Sequence, residues 1–154
     1  MEEYNLLFEG RYKNTLDAKG RLNIPATFRK KPDGSEIENL EFIITQGTID
    51  LNVILFPIRE WRRMMDELEL KIHDGQKLRK LIRRLNYYAS RQKVDKQGRI
   101  NIPEDLIRYA KLDKEVEVIG ANRTIEVWNP KMVIPDLESV NLREDPEIQK
   151  FLKS

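Results

Sequence analysis

The chain contains no cysteine, which removes disulfide staples and thiolate metal sites together and suits a reducing compartment. Histidine occurs once, at position 73, so one chain cannot assemble a multi-histidine metal centre or a histidine relay. His73 stands beside Asp74 and Gly75 at a junction between helices and reads as solvated. No run of about 18 apolar residues is present. The chain opens on Glu2 and Glu3, where a secretory leader would carry basic residues. The expectation is a cytoplasmic protein, neither membrane-spanning nor secreted. GxGxxG, the P-loop, GxSxG and HExxH are all missing, as is any low-complexity tract. This thin inventory predicts no catalytic residues, no metal, no cofactor and no small-molecule substrate.

What is present is a chain of ordinary globular composition, 154 residues long and 40% apolar, enough for one domain or two small ones sharing a core. Its net charge of +2 says little about partners, but the distribution says more. Residues 36 to 70 hold 3 Lys/Arg against 8 Asp/Glu, whereas residues 71 to 108 hold 11 against 4. A basic middle of this kind is compatible with a polyanionic partner, and equally with a solvated helix face.

The most informative feature is a repetition. Shifted by 78 positions, "LDAKGRLNIPATFRK" (16 to 30) lies over "VDKQGRINIPEDLIR" (94 to 108) with six identities in fifteen positions. In each copy the motif is followed by a short amphipathic stretch and then an apolar run ending in Gly ("LEFIITQG", "EVEVIG"). A second apolar run then closes on an aromatic residue and Pro ("VILFP", "IEVWNP"). Strand-like "GRYKNTLD" and "ASRQKVD" run into the tetrads Asp17-Ala18-Lys19-Gly20 and Asp95-Lys96-Gln97-Gly98, and "RLNI" and "RINI" read as returning strands, so each motif predicts a hairpin. Glycine at the fourth turn position allows positive φ, and Asp at the first accepts bonds from turn amides. Pro25 and Pro103 then open short helices.

The closing strands alternate, with Val116, Val118, Ile125 and Val127 facing inward and Glu115, Glu117, Thr124 and Glu126 outward. Between the copies, residues 57 to 72 carry Trp61, Met65, Leu68 and Ile72 on one helical stripe. Residues 75 to 89 do the same with Leu78, Leu81, Ile82, Leu85 and Tyr88, behind Asp74 as N-cap. The opposite face of this second helix carries Lys77, Arg79, Lys80, Arg83 and Arg84. The aromatics Trp61, Trp128, Tyr87 and Tyr88 read as core or rim packing rather than base-stacking platforms. The tail from about residue 135 is expected to be a docked arm or partly disordered.

Chemistry concentrates at the turns. Lys19 and Arg21 in one copy, and Lys96 and Arg99 in the other, project donors from a ribbon of the width that enters a major groove, while Arg11, Lys13, Arg91 and Lys93 lead into the tips. Asp17 with Arg21, and Asp95 with Arg99, can also form cross-turn ion pairs that only shape the hairpin; the two roles are compatible.

The stretches "GRYKNTLDAKGRLNIPATFR", "LFPIREW", "VDKQGRINIPEDLIRYAKLDKEVEVIG" and "IEVW" together resemble the MraZ family of bacterial transcriptional regulators, over roughly residues 8 to 133. The resemblance implies an α+β, mainly β fold: a pseudo-dimeric swapped-hairpin β-barrel (double-psi/AbrB-like) built from two tandem repeats with flanking helices. Residues 8–57 would form the first SpoVT/AbrB-type repeat, 58–85 the inter-repeat helices, 86–130 the second repeat and 131–154 a C-terminal tail. It further implies a ring-like homo-oligomer that binds promoter direct repeats in double-stranded DNA. The resemblance likewise implies a nucleoid-associated protein that acts on its own promoter upstream of the division and cell-wall gene cluster. The family's DxxxR motifs map onto Asp17 and Arg21, then Asp95 and Arg99, with Lys19, Lys96, Lys13 and Arg11 assisting. Because Gln97 stands where copy one has Lys19, Arg21 and Lys19 are expected to contribute more to DNA contact than Arg99. The rival from another class is a structural or protein-interaction ring module that uses the basic hairpin tips.

Overall fold

Alternating apolar residues form the strands that their spacing predicts, and the inward side chains meet in one core. The computed structural model describes residues 6–153. The first copy supplies β1 (Arg11–Thr15), β2 (Arg21–Asn23), a single 3-10 turn (Ala26–Arg29), β3 (Glu41–Gln46) and β4 (Val53–Pro57). Helices α1 (Ile58–Lys71) and α2 (Gly75–Tyr87) follow. The second copy supplies β5 (Ser90–Lys93), β6 (Arg99–Asn101), α3 (Glu104–Tyr109), β7 (Glu115–Ala121) and β8 (Thr124–Trp128), and α4 (Pro130–Glu138) and α5 (Pro146–Leu152) complete the chain.

The fold is α+β with antiparallel pairing throughout. One six-stranded sheet runs β1-β7-β8-β4-β3-β5, and β2 and β6 form a separate two-stranded ribbon. Exchanging the copies (β1 for β5, β2 for β6, β3 for β7, β4 for β8) turns this order into its own reverse. The repetition in the sequence is therefore a pseudo-twofold relation between the strands.

Two expectations need correction. The first is the local hairpin: β1 does not pair with β2 but with β7, while β2 pairs with β6, and β5 pairs with β3. The returning strands explain this. Leu22, Ile24, Ile100 and Ile102 are all buried, and laying β2 on β6 puts both apolar rows into one shared core, which a pairing of β2 with β1 would not do. The second is the barrel. The ladders leave β1 and β5 as the edges of an open sheet, and the three-residue ribbon strands bond only to each other, so the described strands form no closed hydrogen-bonded barrel.

The core unites the copies. Leu22, Phe42, Ile44, Val53 and Leu55 from the first share one cluster with Ile100, Leu106, Val116, Val118, Ile125 and Val127 from the second. Each of those side chains contributes on the order of 1.5–3 kcal/mol by leaving water. Glu117, expected to face solvent, is buried instead and lies 3.8 Å from Arg11 on the neighbouring strand. Helix α2 starts where its cap predicts, the Asp74 carboxylate accepting from the Gln76 and Lys77 amides at 3.0 and 3.1 Å. The Thr45 hydroxyl donates to the Leu85 carbonyl at 3.0 Å and ties α2 to β3.

The tail is helical rather than irregular. Asn129 caps α4 and Asp145 caps α5, each directly before a proline whose missing N–H costs nothing at the first helical position. No helix among the described residues is long and apolar enough to cross a membrane.

Candidate nucleic-acid interface

Each DxxxR motif folds into the same clamp. Asp17 Oδ1 accepts from the Lys19 and Arg21 amides, both at 2.9 Å, and its Oδ2 accepts from Arg21 Nε at 2.7 Å. In the second copy Asp95 Oδ1 accepts from the Gln97 and Arg99 amides at 2.8 and 2.9 Å, and Oδ2 from Arg99 Nε at 3.0 Å. Gly20 and Gly98 both sit at φ +82°, a conformation that a Cβ disfavours. These bonds favour the charged carboxylate. The backbone amides of Arg21 and Arg99, with the arginine side chains next, hold Asp17 and Asp95 below the ordinary aspartate range.

The clamp leaves each guanidinium tied by Nε alone, so its two terminal nitrogens have no protein partner among the described residues. Where they stand follows from the ribbon register. Arg21 is opposite Asn101, Leu22 opposite Ile100, and Asn23 opposite Arg99. Since side chains alternate across a strand, burial of Leu22 and Ile100 puts Arg21, Asn23, Arg99 and Asn101 together on the other face. The ribbon is extended by Ile24 N–H donating to the Gly98 carbonyl and Ile102 N–H to the Gly20 carbonyl, both at 2.8 Å. The result is a pseudo-symmetric quartet of two arginines and two asparagines on a rigid two-stranded platform.

The other sequence-predicted residues fall around this quartet. Lys19 and Asp17 border a cleft of about 980 Å³, and Asp95 and Lys96 border a different one of about 340 Å³, so the two aspartates do not share a cleft. Lys13 is exposed on the edge strand β1, opposite Glu117. Arg11 lies on the same strand, its charge answered by Glu117, and is not part of the ribbon. Arg91, on the edge strand β5 that leads into the second tip, is paired with Glu41 at 2.7 Å. Among the described residues no group of three or more His, Asp or Glu side chains is placed to hold a metal ion.

Three residues of this candidate interface lie outside the sequence-based expectation. Asn23 and Asn101 were visible as identities between the copies, but only the register shows that they share a face with the arginines. Arg29 had no such signal. Its Nε donates to the Ile24 carbonyl at 3.0 Å, its Nη1 lies 3.9 Å from Glu36, and its guanidinium rests on Gly98, where a Cβ would meet Cζ at 2.7 Å. The position that matches Arg29 in the other copy is Ile107, which covers Gly20. Copy one thus lends a cation to the tip that has Gln97 in place of lysine.

Comparison with known proteins agrees with this geometry in scope. The family model described as "MraZ protein, putative antitoxin-like" matches residues 7–81 and 87–132. A protein of Carboxydothermus hydrogenoformans named Transcriptional regulator MraZ is 36% identical over 126 residues, covering 82% of this chain and 83% of the relative. One of the same name from Halothermothrix orenii is 38% identical over 125 residues, covering 81% and 82%. With both motifs, both clamps and all eight strands inside the matched span, the chain belongs to the MraZ family.

Proposed function

We propose that the protein is a sequence-specific, DNA-binding transcriptional regulator whose reading element is the β2/β6 ribbon, acting on its own promoter upstream of the division and cell-wall gene cluster. The observation that carries this reading is the Arg21, Asn23, Arg99, Asn101 quartet. A two-stranded ribbon fits the major groove, arginine there pairs bidentately with guanine, and asparagine with adenine. The aspartate clamps hold the arginine forks in advance, so less side-chain freedom is lost on binding. Lys19, Lys96 and Lys13, all exposed, serve as phosphate contacts beside it. The family name carried by the relatives supports the same reading.

The finer architecture belongs to this proposal too. The ribbon and the sheet share one apolar cluster, which supports two SpoVT/AbrB-type repeats, 8–57 and 86–130, forming a pseudo-dimeric swapped barrel closed by side chains rather than by a continuous ladder. Assembly of several copies into a ring on direct repeats would add avidity without a new kind of contact.

The test is a mobility-shift titration of the parent and Arg21→Ala on the protein's own upstream DNA and on a scrambled duplex. Arg21→Ala is expected to lose about 1–3 kcal/mol per engaged site on the upstream DNA and little on the scrambled control. Equal upstream binding by both proteins overturns the site assignment.

A further inference from the structure

Helix α2 carries a charge pattern that the fold does not explain. Between Gly75 and Tyr87 stand Lys77, Arg79, Lys80, Arg83 and Arg84 and no acidic residue. All five cations are exposed, and no carboxylate among the described residues lies within ion-pair distance of any of them. On the neighbouring helix α1, by contrast, Lys71 pairs with Glu67 at 3.7 Å and Arg63 with Glu60 at 3.6 Å. Like charges three and four residues apart on a helix repel one another. The helix dipole accounts for Arg84 in the last turn, but it disfavours Lys77 in the first, where the only nearby acid is the capping Asp74.

At about 100° per residue the five cations occupy the arc opposite Leu78, Leu81, Ile82 and Leu85, the side that packs inward. Lys77 and Arg84 are about 10 Å apart along the axis, a length over which one strand of a duplex presents about three phosphates. Lys80, Arg83 and Arg84 line a groove of about 350 Å³ with Tyr87 and Tyr88. Tyr87 is 75% exposed and meets Tyr88 edge-on at 4.8 Å. Tyrosine hydroxyls donate well to phosphate. From Tyr87 the chain runs through β5 directly into the second tip, so Lys96 lies within about 30 Å of the helix end, less than one turn of duplex.

We propose that this outer face of α2 is a second nucleic-acid contact, gripping the sugar-phosphate backbone of duplex DNA without reading sequence. The proposal rests on the DNA-binding reading above and extends it to a surface remote from the DxxxR motifs. A row of like charge broken by a single exposed aromatic, Tyr87, suits a uniformly charged rod. A protein partner would need several apolar anchors at the centre of the interface, and among the described residues Tyr87 is the only large apolar side chain exposed on this face.

The experiment compares full-length parent, the triple variant Lys80→Ala, Arg83→Ala, Arg84→Ala, and Arg21→Ala. Each is titrated against the upstream and scrambled duplexes over a range of salt, with oligomer mass measured on the same samples. Alanine keeps the helix. The triple variant is expected to lose about tenfold or more on both duplexes alike, with a salt slope shallower by roughly two to three and the ratio between duplexes unchanged. Arg21→Ala is expected to lower that ratio. Parent-like affinity and slope in the triple variant overturn the proposal, and so does a changed oligomer mass with unchanged DNA binding per assembled particle, which makes the face a contact between copies. A parent that binds both duplexes equally, with the triple variant still losing slope, sinks sequence-specific reading and leaves the α2 contact standing. A parent that binds neither overturns both.

Discussion

At the scale of single residues, the two DxxxR motifs are clamps, whatever their arginines go on to read. Because Asp17 and Asp95 are held below the ordinary aspartate range, the unfolded chain binds protons in a window where the folded one does not. Their contribution to stability is therefore fully present above about pH 4, where unfolded aspartate is ionised, and is lost as pH falls through the lower folded-state values. Urea midpoints measured between about pH 2.5 and 5 should fall less steeply for an Asp17→Asn, Asp95→Asn double variant than for the parent. The two turn glycines separate cleanly as well. Alanine at either costs about 1–2 kcal/mol for the positive φ. At Gly20 its Cβ would also meet the Ile102 carbonyl oxygen at 2.8 Å, whereas at Gly98 it meets the movable end of Arg29. Gly20→Ala should unfold at clearly lower urea than Gly98→Ala. An equal pair would mean that Arg29 is as fixed as backbone.

Among the elements, α2 has an apolar inner face packed on the protein and an outer face of exposed cations. Its start depends on Asp74, which accepts two of the first-turn amides. Asp74→Ala should cost about 1 kcal/mol in chemical denaturation, with the Thr45 to Leu85 tie at the other end keeping the helix docked. The ribbon presents the opposite case. Its strands are three residues each, too short to be stable as an isolated pair, and they persist because Leu22 and Ile100 are anchored in the common core. An arginine on such a strand is positioned by the whole core rather than by its neighbours in sequence.

For the whole molecule, the exchange of partners between the copies makes neither half self-sufficient. β1 and β2 find their partners in β7 and β6, and β5 finds its partner in β3. Chains divided between α1 and α2, into residues 1–73 and 74–154, should each lack a cooperative unfolding transition as monomers. Mixed, they should recover a one-to-one complex that unfolds like the parent, as read by sizing and circular dichroism. A half that folds alone as a monomer would show that the shared core is not required. The same interdependence lets one copy complete the other's site, as Arg29 does at Gly98.

Much of this protein was written locally. Spacing of apolar residues placed β3, β4, β7, β8 and both central helices; the Asp and Gly of each motif specified the turn; Asp74 announced a helix start. Those signals act over a few residues, through hydrogen bonds and side-chain alternation that the chain carries with it wherever it goes. The helices of the tail were missed: Asn129-Pro130 and Asp145-Pro146 offered caps, but the few apolar residues behind them pointed to an irregular arm. Pairing was another matter. Nothing in "LDAKGRLNIP" says that its returning strand will lie on its own counterpart 78 positions away rather than on the strand before it. That choice is made by the burial of Leu22, Ile24, Ile100 and Ile102 together, a collective gain that exists only once the copies meet. The arginine and asparagine quartet, the burial of Glu117 and the loan of Arg29 all follow from that meeting. The sequence determined the parts and their faces; tertiary packing decided their partners, because apolar area leaves water only when distant segments cover it.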